Sequence, residues 1–183
     1  NKQFPQVWKM YKTVKSLDWD ENEIPMASCN AEFKNPGLRT KSQKMIKSLA
    51  WQWEADSFAS RSISHIVSLF NPAPELWAAW QRISDQEIIH SATYSEIVRA
   101  SFDNPREVLE KILAITEAIQ RLETVAREMK WIRERGLRFQ LGEVPNDQET
   151  YNAAFMFAYM MFVLERLQFM ASFGVTFALA AED

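Results

Sequence analysis

An all-α chain of long helices is what these 183 residues predict. Only four are glycine, the seven prolines leave long stretches unbroken, and apolar side chains recur between them at about 3.6-residue spacing. With 47% hydrophobic and 13% aromatic content, the chain can bury a sizeable core.

Residues 1–40 carry Pro5, Pro25 and Pro36 and read as an irregular segment with short helical turns; residues 41–183 read as a partial helical domain. A first long helix is expected from about Ser42 to Leu69, with Met45, Leu49, Trp53, Asp56, Ala59, Ile63 and Ile66 in period and Asn71-Pro72 as its stop. Pro74 suits the first turn of a second, through Leu76, Trp80, Ile83, Glu87, His90, Tyr94 and Val98 to about Ser101. Pro105 opens a third, which Gly136 is expected to close after Arg135. Following a loop at 137–146, Asn146-Asp147 can cap a last helix reaching about Ala180.

That last segment is apolar enough to raise the question of a membrane. From Ala153 to Ala181 its only charged residues are Glu165 and Arg166. Charges at its middle, the lack of a basic flank and the amphipathic character of the other helices favour a helix buried all round by protein, with no membrane. A net charge of -3 with scattered lysines and arginines gives no case for nucleic acid. Cys29, the single cysteine, cannot form an internal disulfide, which suits a reducing cytoplasm. Asn1 to Leu17 is polar and basic, unlike a secretory leader.

Offsets of three, four and seven residues share one helix face, so Glu87, His90 and Tyr94 present a carboxylate, an imidazole and a phenol together. Two further carboxylates, Asp56 and Glu165, stand in apolar surroundings on other helices, where an unpaired charge costs several kcal/mol. In four-helix di-metal proteins two helices each give a carboxylate and two others each give Glu-x-x-His. The order here is carboxylate, Glu-x-x-His, extra helix, carboxylate. Such hard oxygens with imidazole suit iron or manganese. His65 falls nine residues after Asp56, off its face, and reads as structural; Cys29 has no neighbouring base and reads as inert.

On these residues the chain resembles the radical-generating small subunit of class I ribonucleotide reductase, over nearly its whole length. Asp56 stands 31 residues before Glu87, as the first aspartate ligand of that family stands before its Glu-x-x-His. Glu165 followed by Phe169 and Phe173 is similar to the family's glutamate ligand and the phenylalanines lining its radical pocket. Ser16 to Ile24 looks like the stretch that carries the tryptophan of the electron-transfer route, here Trp19, which reads equally as a packing anchor.

The resemblance implies a ferritin-like bundle with a dinuclear metal centre on Asp56, Glu87, His90 and Glu165. Iron is the first expectation and manganese stays open; O2 would activate the centre and Tyr94 would hold the radical, its phenol bonded to Asp56. It further implies reduction of ribonucleotides to deoxyribonucleotides with a large catalytic subunit, and a homodimer of the completed small subunit. The departure is the lack of a second Glu-x-x-His. His65 and His90 are the only histidines, and 18 residues follow Glu165, whereas an antiparallel return would take roughly 35. The bundle is therefore expected to be incomplete, with a C-terminal fragment of the same subunit supplying the remaining ligands, through a split gene or because the chain is truncated. A ferritin-like di-iron oxidase and a non-catalytic interaction fragment are the alternatives.

Overall fold

A computed structural model describes residues 2–114 and 116–181, and the described residues form helices and connecting turns without a strand. The helices are α1 (Pro5–Ser16), α2 (Cys29–Lys34), α3 (Arg39–Leu69), α4 (Pro74–Ser101), α5 (Pro105–Leu113), α6 (Thr116–Gln140), α7 (Gln148–Val163) and α8 (Phe169–Ala181). A π-helical turn at Leu164–Gln168 joins the last two.

Helix α3 is the spine, packing along α4 and α6 and meeting α8. Its Ala50, Ala55 and Ala59 are fully buried, and their small side chains let neighbouring helices come close. Around them the core gathers Trp51, Ile63 and Ile66 of α3, Val125, Met129 and Ile132 of α6, and Phe157, Leu164 and Phe169 of the last segment. Pro74 begins α4, where its fixed φ and missing N–H are harmless. Asp147 caps α7 by accepting from the Thr150 N–H at 2.9 Å. Arg135 near the end of α6 reaches Asp147 at 2.8 Å and Glu149 at 2.9 Å, pinning the α6–α7 hairpin.

Four features differ from the sequence expectation. The first 40 residues hold a twelve-residue helix, α1, started by Pro5, as well as the short α2. The third helix is two, α5 and α6, with Ile115 between them outside the described residues. Gly136 does not end α6, which continues to Gln140: a Cβ there would lie 2.8 Å from Leu69 Cβ, so glycine serves close packing rather than a cap. Finally, α7 and α8 are buried on one side only. Tyr151, Phe155, Tyr159 and Phe162 form an exposed stripe at helical spacing, and Phe177 is 69% exposed. Gln148–Ala181 is long and apolar enough to cross a membrane by length and composition.

Substituting Gly136→Val should destabilise the protein by about 1–3 kcal/mol through overpacking against Leu69 and Phe70. Urea denaturation measures it, and an unchanged midpoint would show that the α3–α6 contact has slack.

Candidate metal centre

Two helices converge on one spot, α3 bringing Asp56 and α4 bringing Glu87 and His90; Tyr94 of α4 and Glu165 of the π-turn stand outside that group, near enough to interact with its charges. Paired serines set the relation between α3 and α4. Ser57 meets Ser91 at 2.9 Å, one residue beyond Asp56 and His90 respectively, while Ser84 meets Ser64 at 2.7 Å and donates to the Ser60 carbonyl at 2.8 Å. Hydroxyls short enough to pair directly hold the two backbones close.

Asp56 is 1% exposed and Glu87 5%. His90 Nδ1 lies 2.9 Å from Glu87 Oε2 and 3.8 Å from Asp56 Oδ2. One donor atom from each of the three falls within 4.8 Å of the others, the scale of a metal's first coordination sphere. Asp56 Oδ2 and Glu165 Oε1 are buried and make no hydrogen bond. The phenol of Tyr94 therefore does not donate to Asp56 Oδ2, contrary to the bond expected there.

Electrostatics expose the same convergence. Burial, then the charges of Glu87 and Glu165, push the Asp56 carboxyl far above its usual range. Burial and Glu87 raise Glu165 to about 7, although His90 and Arg166 oppose them. For His90, burial alone would lower the imidazole; the hydrogen bond and charge of Glu87, with Glu165, outweigh it and leave it raised. Tyr94 is pushed up by burial and then by Asp56, Glu87 and Glu165, so its phenol stays protonated. Three carboxylates crowded with too few donors form a site short of positive charge. Divalent cations would supply that charge and occupy the orphaned oxygens, so these residues fit a metal of the iron or manganese type.

The remaining sequence candidates divide. The Trp19 ring lies 5.8 Å from the His90 ring, tilted by 31°. It is held there by contacts the sequence did not reveal: Arg82 pairs with Asp18, and Gln86 Nε2 donates to Asp18 Oδ1 at 3.3 Å. The one legible hint was an aspartate on either side of the tryptophan. Phe169 is buried against Trp51, with Phe173 beside it at 5.8 Å between ring centres. His65 is exposed on α3, away from the cluster, and Cys29 is half-buried on α2.

The raised carboxyl of Glu165 sets a pH dependence. Its ordinary value is 4.5 and its folded value about 7, so between them the folded state binds more protons than the unfolded chain. Metal-free protein should therefore lose stability as pH rises through that window, and added Mn(II) should restore it at pH about 7. Urea midpoints with chelator and with Mn(II) test this; a metal-free protein that gains stability across the window would contradict it.

The family model described as ribonucleotide reductase, small chain, matches residues 1–183. No individual curated protein matches the chain. With the whole chain inside the family's span, and a cluster of aspartate, glutamate and histidine able to hold a metal ion, the chain belongs to the small-chain family of ribonucleotide reductase.

Proposed function

We propose that this chain is the radical-generating part of a ribonucleotide reductase small subunit, in which Asp56, Glu87, His90 and Glu165 ligate a dinuclear metal centre and Tyr94 holds a tyrosyl radical. Family membership makes the chain part of an oxidoreductase acting on ribonucleotides, with a dinuclear metal centre in the small chain, a large subunit as partner and an oligomeric small subunit. The finer reading is supported by a single observation: Asp56, Glu87 and His90 gather from two helices, with Glu165 and the half-buried phenol of Tyr94 close enough to interact with their charges.

When bound, two iron or manganese ions supply the electrons that reduce O2, chemistry beyond any side chain. The protein's own part is to hold and protect an oxidising equivalent. Because Tyr94 is kept neutral, its oxidation releases a proton with the electron, which a neighbouring carboxylate would accept once metal had displaced the proton it holds in the metal-free cluster. Phe169 and Phe173 would keep water and reductants from the phenoxyl oxygen. Trp19, tilted against His90 and tied to α4 through Asp18, is the proposed entry for electrons.

The reading also needs a second Glu-x-x-His, which bundles of this kind carry on a further helix. The exposed stripe Tyr151, Phe155, Tyr159 and Phe162 offers an apolar face for that helix, which we assign to a C-terminal part of the same subunit. Glu165 lies in the middle of Gln148–Ala181 and turns toward the other carboxylates, so protein rather than lipid suits this face. A homodimer in a reducing cytoplasm, with Cys29 as a free thiol, completes the proposal.

Reconstitution with Fe(II) and O2, together with a C-terminal partner, should give the electron-paramagnetic signal of a tyrosyl radical. Tyr94→Phe should abolish that signal and leave metal content unchanged; a persisting signal would place the radical elsewhere. Glu87→Ala should lose metal by about 10-fold or more in affinity, and full occupancy would remove Glu87 from the ligand set.

A further inference from the structure

The last long helical segment departs from α-geometry at Leu164–Gln168, and Glu165 lies inside that π-turn. Leu-Glu-Arg-Leu-Gln contains no glycine or proline and consists of good helix formers, so nothing local asks for an extra residue in the turn. A π-turn interrupts the i→i−4 ladder and must be held from outside. Gln168, its last residue, exchanges two hydrogen bonds with Arg121 of α6. Arg121 Nη2 donates to the Gln168 carbonyl at 3.2 Å, and Gln168 Nε2 donates to the Arg121 carbonyl at 3.1 Å. The same guanidinium rests 4.1 Å from the centre of the Trp51 ring, and Trp51 packs at 4.8 Å on Phe169, the first residue after the turn. Helices α3 and α6 thus grip the exit of the turn from two sides.

We propose that the Arg121–Gln168 clasp is a positioning device that maintains the π-turn and thereby aims Glu165 at Asp56, Glu87 and His90. The inference rests on the metal-centre reading for its consequence, though not for its geometry. Neither residue is among the ligands. Without the clasp the segment can relax to regular α-helix, each residue of which turns by 100°, and the Glu165 carboxylate leaves the cluster.

Gln168→Met keeps the side-chain length but cannot donate, whereas Gln168→Lys retains a donor for the Arg121 carbonyl. Titration of the protein with Mn(II), followed through the signal of the free ion, should show affinity about 10- to 100-fold weaker in the Met variant and largely preserved in the Lys variant. Amide hydrogen exchange across 164–169 should accelerate in the Met variant alone. Wild-type Mn(II) affinity and wild-type exchange in Gln168→Met would overturn the clasp, as would equal losses in the two variants. Wild-type protein that takes up no Mn(II) even when joined by the C-terminal part would instead sink the metal-centre reading, and exchange, which needs no metal, would still decide whether the clasp holds the turn.

Discussion

Concentrated negative charge inside an apolar bundle is the constraint on which the rest of this structure depends. Asp56 and Glu87 are nearly inaccessible, Glu165 joins them, and two of their oxygens find no donor. Left alone, such a cluster opposes folding: the carboxyls of Asp56 and Glu165 are driven toward their neutral forms and the imidazole of His90 toward its charged one. A chain selected only for stability would replace these groups with packed aliphatic side chains. Their retention within a core of Trp51, Ile63, Leu164 and Phe169 makes sense when a cation is part of the folded state.

The scaffold brings the proposed ligands of α3 and α4 to one place by close approach rather than by loops. Fully buried alanines along α3 and paired serines between α3 and α4 draw the helices together, and Gly136 does the same where α6 meets the end of α3. Short side chains at these contacts leave little freedom for one helix to slide on another. A ligand set on regular helices held this way is more rigid than one on loops. Glu165 alone comes from irregular backbone, so its aim depends on the clasp at Gln168 more than on helix geometry.

Much of this was legible in the residues. Glu87, His90 and Tyr94 share a face by helical arithmetic alone, and the apolar residues around Asp56 marked it as a carboxylate needing a partner. What escaped were features set by contacts between distant parts of the chain. Gly136 looked like a helix end because glycine usually is one there; its reason for being is the side chain of Leu69, 67 residues earlier. The π-turn had no local signature, since its residues are ordinary helix formers. Asp18 and Arg82, separated by 64 positions, hold Trp19 against His90 through a pairing that no periodicity encodes. Composition marks the last helix for burial by protein, yet it counts apolar residues without saying what covers the side that this chain leaves open.

The exposed aromatic stripe and the partial ligand set are best understood as one fact. Two divalent ions bring four positive charges, and the bundles that hold them balance these with four carboxylates and two imidazoles. Asp56, Glu87 and Glu165 provide three negative charges and His90 one imidazole, so a filled centre here would keep a net positive charge inside an apolar core. One further carboxylate and one further imidazole would close that balance, and Glu-x-x-His is the shortest helical segment that carries both on a single face. A helix bearing it that packed against α7 and α8 would also cover Tyr151, Phe155, Tyr159 and Phe162. The proposed C-terminal part would therefore meet both the electrostatic neutrality of the centre and the burial of the stripe.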